Sequence, residues 1–311
     1  MNSDNRLKTL LDRGDFVVTA EITPRLTTAK ADFVDQAEPL KGRADAVNVT
    51  DGAGARVAMS SMAASALLKQ MGIEPIMQMT CRDRNRIALA ANLIGAAALG
   101  IRNILVLRGD RPEGGDEPDA KPVFDLESKD VVAIARQMRD DGTIPSGREL
   151  RSRPEFYIGA ADVPFDAPAD WKPEALQAKI DGGVDFIQTQ FCFEPLVAQR
   201  YLDRLGEHGI LDQVSMILGV GPIVSAHSAR WMNEHLFGVT VPDHVVERLE
   251  GADDQAAEGQ QICAELIDLY KVMPGVSGVH IMAPAQGPQR IAAVIDQVLP
   301  ERAAAAAAST D

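Results

Sequence analysis

The residues best suited to do chemistry stand where strand-like apolar runs are interrupted or end. Ile104-Leu-Val-Leu107 runs directly into Arg108-Gly-Asp110 and then Arg111-Pro-Glu-Gly114. Such an apolar run reads as a strand buried on both faces, which puts a guanidinium and a carboxylate at its end. They either begin a solvated loop or stand at the rim of a pocket. Glu21 lies inside Phe16-Val-Val-Thr-Ala-Glu-Ile22. A carboxylate there is costly unless it is paired or protonated, and a partly buried carboxyl suits general-acid work. The alternatives are that Glu21 faces outward or pairs with a structural arginine. Gln188 and Gln190 are two apart in a third strand-like run and so point to the same side. An amide offers both donor and acceptor, which suits the edge of a heterocycle or simply a satisfied core.

The elements that must position these groups alternate. Strands are expected over residues 16–22, 45–50, 74–80, 102–107, 155–161, 184–190, 214–220 and 276–282. Helical patterns occupy 29–40, 57–71, 84–99, 129–139, 173–181, 195–207 and 288–298, with extra helical stretches at 226–237, 243–249 and 255–272. Glycine closes two of them, at Gly72 and Gly100. Strand followed by helix, eight times over, implies a parallel sheet with right-handed crossovers. Eight units favour a single-domain (βα)8 TIM barrel over residues 1–300, with the active site at the carboxyl ends of the strands. Residues 301–311, mostly alanine, read as a low-complexity tail expected to be disordered.

Composition narrows the function. The net charge of −14 over 311 residues argues against a nucleic-acid or anionic-membrane binder. Residues 1–15 have no apolar signal core, and no apolar run reaches membrane length. Cys81, Cys192 and Cys263 lack CxxC spacing, which suits reduced thiols and a cytoplasmic protein. No HExxH pattern occurs among the five histidines, His227 and His235 read as surface residues, and no metal site is expected. There is no dinucleotide fingerprint, P-loop or nucleophile elbow, and Asp51-Gly-Ala-Gly54 reads as a turn.

Taken in order, the strand ends resemble those of the 5,10-methylenetetrahydrofolate reductase family. The match rests on Thr19-Ala-Glu-Ile-Thr-Pro24, Val49-Thr-Asp-Gly-Ala53, Met79-Thr-Cys81, Leu107-Arg-Gly-Asp-Arg-Pro112 and Thr189-Gln-Phe-Cys-Phe193. The resemblance implies a (βα)8 flavoenzyme of one-carbon metabolism. Hydride would pass from NADH or NADPH through FAD to 5,10-methylenetetrahydrofolate, or the reverse way in one-carbon catabolism. It implies Glu21 as the acid that opens the folate's five-membered ring and Asp110 as the carboxylate beside flavin and pterin. Gln190 would bind the pterin, and Thr50 would sit between flavin and substrate. Ala53, Gln78, Arg108, Gly109, Asp110 and Lys179 would contact the cofactor.

The chain also departs from that pattern. Gln78 stands where the family often has histidine, and Gln286 where it has a substrate-contacting arginine. The loop Asp162-Val-Pro-Phe-Asp-Ala-Pro168 lacks the tyrosine and histidine expected near the flavin's adenosine part. FMN, or transfer without flavin, therefore stands beside FAD. A folate-dependent methyltransferase barrel and an electron-relay subunit are the alternative functions. The expected partner is a small folate, with no nucleic acid and no membrane. A homo-oligomer is left open.

Overall fold

The computed structural model describes residues 5–308. Eight parallel strands close into a barrel in the order β1 to β8. They are β1 (Val17–Ile22), β2 (Ala46–Val49), β3 (Pro75–Thr80), β4 (Asn103–Leu107), β5 (Tyr157–Asp162), β6 (Phe186–Phe191), β7 (Ser215–Val220) and β8 (Gly278–Ile281). Around them run α1 (Arg6–Asp12), α2 (Lys30–Ala37), α3 (Ser61–Gln70), α4 (Arg86–Ala98), α5 (Ser128–Asp140), α6 (Glu174–Asp181) and α7 (Pro195–Glu207). Between β7 and β8 come α8 (Ala226–His235), α9 (Asp243–Glu250) and α10 (Gln255–Lys271), and after β8 come α11 (Pro288–Val298) and α12 (Pro300–Ala308). The closing seam pairs Val17 with Gly278 and Ala20 with Ile281.

Several expected boundaries move, most of them by one or two residues. The helix expected from Val57 starts at Ser61, because Ser60 is its cap and accepts a hydrogen bond from the Ala63 N–H at 3.3 Å. The loop after β2 is correspondingly longer and holds a 3-10 turn at Ala53–Ala55. Pro173 stands at the cap of α6 rather than in its first turn. The tail expected to be disordered is helical over Pro300–Ala308, and residues 309–311 lie outside the described residues. Alanine is the strongest helix former, and the helix is fastened by Arg302, which donates to Asp45 Oδ2 at 2.8 Å and to Arg43 O at 3.0 Å.

Strand alternation divides the barrel interior into layers. At the floor, Val17, Ala46, Ile76, Leu105, Tyr157, Phe186 and Ile217 pack with Leu7 and Leu11 of α1, which plugs the amino-terminal end. Tyr157 and Phe186 stack with ring centroids 5.1 Å apart. Gly159 leaves room for them: a Cβ there would meet Phe186 Cζ at 2.4 Å and Leu105 Cδ1 at 2.8 Å. Gly159→Ala is therefore expected to overpack the barrel and lower stability by about 1–3 kcal/mol, read from denaturant melts. An unchanged midpoint would show that the layer is loose.

Above the floor the interior turns polar. Asn48 Nδ2 donates to Gln188 Oε1 at 2.6 Å, and Gln188 Nε2 donates to Thr19 Oγ1 at 3.0 Å and Asn48 Oδ1 at 3.1 Å. His280 Nδ1 lies 2.9 Å from Thr19 Oγ1. Every one of these residues is buried, so they must satisfy one another.

Candidate active site

Glu21 is one step up β1 from Thr19 and points into the barrel mouth. Its Oε2 accepts from Gln78 Nε2 at 3.0 Å and lies 3.7 Å from His280 Nε2. Its side chain keeps 20% exposure, whereas that of His280 keeps 4%. The outward-facing alternative for Glu21 is thus overturned. The carboxyl has one open side toward the mouth and an imidazole behind it, anchored in turn on Thr19. A group so placed can give a proton to a ligand and be held in one orientation while it does so. His280 and Thr19 escaped the sequence reading. Their signal was one polar residue in the middle of an apolar strand, Val-His-Ile and Val-Thr-Ala.

The rim beside β2 and β3 is built on Asp51, which the sequence suggested only as part of a turn. Asp51 Oδ2 accepts from the Thr80 N–H at 2.9 Å, the Thr80 hydroxyl at 3.0 Å and Arg84 Nη1 at 2.7 Å. Its Oδ1 accepts from Arg84 Nη2 at 2.9 Å and the Ser61 hydroxyl at 3.2 Å. Burial works against the charge on Asp51, but the Arg84 guanidinium and the Thr80 donors outweigh it and hold the carboxyl below the usual range. This latch fixes the preceding residue, Thr50, which is 3% exposed and whose Oγ1 has no hydrogen-bond partner.

Asp110 sits across from that loop. Its carboxylate is exposed and accepts from the Gly54 N–H at 2.9 Å, which joins it to the turn that carries Ala53. Arg82, another residue missed in the sequence, is 5% exposed and donates to Gly52 O at 3.1 Å and Asp110 O at 3.3 Å. Gly109 makes the close approach possible. It has φ +90°, and a Cβ would lie 3.0 Å from Thr80 Cβ and 3.1 Å from Arg82 Cβ.

Arg108 and Lys179 line one cavity of about 110 Å³ between the ends of β4 and β5 and the start of α5. The Arg108 guanidinium lies 4.3 Å from the Phe124 ring centre, with its Nε 3.3 Å from Glu127 Oε2. Lys179 Nζ donates to Ala161 O at 2.7 Å and is 3.5 Å from Asp162 Oδ1. Ser128 and Lys129, at the amino-terminal end of α5, complete that wall. Asp162 also accepts the Tyr201 hydroxyl, and burial first, then the Asp162 charge, raises the tyrosine's pKa. The loop after β5 adds Phe165 and Trp171, edge to face at 5.1 Å.

The two glutamines of β6 separate in role. Gln188 is fully engaged inside the barrel, as described above. Gln190 stands at the mouth, where its Nε2 is 3.4 Å from Phe237 O and its Oε1 accepts from the Phe191 N–H at 2.9 Å. Among the described residues no cluster of three His, Cys, Asp or Glu is placed to hold a metal ion, and no helix is long and apolar enough to cross a membrane. The three cysteines are buried. Burial, then the Glu127 charge, pushes the Cys81 thiol up to about 11, so it is not a ready nucleophile at neutral pH.

The chain is similar to known proteins. A family model described as methylenetetrahydrofolate reductase matches residues 6–297. A probable methylenetetrahydrofolate reductase (NADPH) of Caenorhabditis elegans is 27% identical over 277 residues, 84% of this chain and 39% of that protein. Methylenetetrahydrofolate reductase 2 of Schizosaccharomyces pombe is 29% identical over 241 residues, 73% of this chain and 36% of that one. The 5,10-methylenetetrahydrofolate reductase of Escherichia coli (strain K12) is 26% identical over 216 residues, 67% and 65% of the two chains. The match thus spans about two fifths of the length of these worm and yeast relatives. Among solved structures, a Clostridium thermocellum protein described as binding two copies of 5-methyl-5,6,7,8-tetrahydrofolic acid has a TM-score of 0.63 at 15% identity, over 96% of this chain and 99% of that one. At that identity the likeness is one of fold.

Proposed function

Because the chain belongs to the methylenetetrahydrofolate reductase family, we propose that it reduces 5,10-methylenetetrahydrofolate to 5-methyltetrahydrofolate with a reduced nicotinamide. The observation that carries this reading is Glu21, a carboxyl held at the mouth by Gln78 with His280 behind it. The substrate's methylene carbon bridges two ring nitrogens. Protonation of one of them by Glu21 lets that carbon–nitrogen bond break, which leaves an iminium on the other nitrogen. Hydride addition to the iminium carbon then gives the methyl group. Asp110, exposed at the rim, supplies negative charge near the cation that develops. Gln190 presents an amide for the pterin edge.

The residues also suit a flavin. Thr50 offers a buried hydroxyl without a partner, and Ala53 and Gly109 bring backbone to the rim with no bulky side chain. Arg108 and Lys179 put two cations on one cavity at a helix start, as a diphosphate requires, which favours FAD over FMN. Gln78, bonded to Glu21, would lie between cofactor and acid. A flavin held there would accept hydride from the nicotinamide and deliver it to the folate carbon.

The purified protein is expected to show flavin absorbance and to oxidise NADH or NADPH only when methylenetetrahydrofolate is supplied. A colourless protein that still turns over would remove the flavin from this reading. A flavin-loaded protein inert to the folate would remove the activity.

A further inference from the structure

The outer face of α4 is apolar where a surface helix is normally polar. From Ile87 through Gly100 there is no charged residue. Leu89, Leu93 and Ala96 make the buried face of the helix. The opposite face carries Ile87, Ala91, Ile94 and Ala98, all exposed, Ile87 by 76% and Ile94 by 45%. Leu99, 49% exposed, extends this face at the far end. By contrast, α5 exposes Lys129, Arg136 and Asp140, and α7 exposes Arg200, Asp203 and Glu207. A helix apolar on all sides belongs in an interior, and an exposed patch of this kind marks a contact surface.

The spacing of that face says what covers it. Positions 87, 91, 94 and 98 follow the 4-3-4 step of a heptad seam, the pattern by which one helix packs along another. Large and small side chains alternate along it as Ile, Ala, Ile, Ala. Laid antiparallel on its own copy about a two-fold axis midway between 91 and 94, the stripe sets Ile87 against Ala98 and Ala91 against Ile94. Each large side chain then meets a small one. A parallel pairing would set Ile on Ile and Arg86 on Arg86. Charge agrees with the antiparallel choice. Arg86 begins the helix with 64% of its side chain exposed, and Glu155, 73% exposed, shares a cavity wall with Ile94 and Ala98 near its end. Asp125 and Arg102 hold these two charges in place from within the chain. The two-fold brings the Arg86 end of one copy to the Glu155 end of the other. Two copies of a chain of net charge −14 repel over most of their surfaces, so an uncharged face with opposite charges at its ends is where they can meet. We propose that the protein forms a two-fold dimer in which α4 packs antiparallel on α4 of a second copy.

Sedimentation equilibrium between about 1 μM and about 100 μM should show monomer–dimer exchange, since a contact centred on one helix pair has the size of a transient interface. Ile94→Lys, which puts a charge beside Ala91 of the other copy, should leave monomer at every concentration. Register is read by cysteine pairing, since the three native cysteines are buried. An oxidised mixture of Ile87→Cys and Ala98→Cys chains, one of them tagged, should give a disulfide-linked dimer with one chain of each. Either variant alone should not, because residue 87 of one copy lies about 16 Å along the axis from residue 87 of the other, and the same holds for 98. The pairing test does not depend on Ile94→Lys folding. A parent that stays monomeric, an Ile94→Lys chain that dimerises like the parent, or crosslinking within a single variant as fast as in the mixture would overturn the proposal.

Discussion

Glu21→Gln is expected to lower the rate of methylenetetrahydrofolate reduction by about a hundred- to ten-thousand-fold, the usual contribution of a positioned general acid. Reduction of a bound flavin by the nicotinamide should stay close to that of the parent. The substitution is nearly isosteric, and the new amide oxygen can still accept from Gln78 Nε2, now 3.0 Å from Glu21 Oε2. What is lost is the proton. The two half-reactions, followed separately by stopped flow, check this. Equal loss in both would show that Glu21 holds the cofactor rather than activating the folate. Normal folate reduction would move the acid elsewhere.

Asp51→Ala should be the most damaging single change to stability at the rim. It strands Arg84, which meets Asp51 through two hydrogen bonds, and removes the partner of the Thr80 N–H. Breaking a buried ion pair by deleting one member costs about 3–5 kcal/mol. At about 2–4 °C per kcal/mol for a chain of this size class, Tm should fall by on the order of 10 °C. The pH dependence has a definite sign. The Asp51 carboxyl is held below its ordinary range when folded, so its contribution is complete above the unfolded value of about 4 and fades as pH falls through the folded value. The difference in unfolding free energy between parent and variant should therefore be widest near neutrality and shrink below about pH 4. A gap that stays constant into acid would show that packing, not charge, makes the latch.

Most of the scaffold was legible because its signals are local. Runs such as Ile104-Leu-Val-Leu107 and Phe16-Val-Val declare buried strands by composition alone, and α7 and α11 have the bounds expected from the sequence. What local signals do not show is contact between distant segments. Asp51, in the loop before α3, reaches Thr80, 29 residues on. The helical end of the chain follows from Arg302 reaching Asp45, 257 residues back.

The candidate site divides the same way. Glu21, Thr50, Arg108, Asp110 and Gln190 were found as polar groups at strand ends, and they stand around the mouth. The interior layer was not found. Thr19 meets Gln188 across 169 residues and His280 across 261, and no window of sequence shows that pairing. Gln188 resembled Gln190 in sequence, yet its partners Asn48 and Thr19 leave it nothing for a ligand.

The fastening of α12 bears on how the ring stays shut. Neighbouring strands join segments close in sequence, as where Asp45 caps the Val18 N–H across 27 residues. The β8–β1 seam joins segments about ten times farther apart, 261 residues at Thr19 and His280. By the logarithmic growth of loop-closure entropy, sealing it costs about 2 kcal/mol more than sealing a pair such as β1–β2, and about 1 kcal/mol more than sealing the wider-spaced β4–β5 and β7–β8. The two ends of the ring are tied again outside the sheet by two ion pairs, Arg43 to Asp296 and Arg302 of α12 to Asp45, whose carboxylate Arg6 of α1 also meets. The second clasp lies where chain entropy pulls hardest against the circle.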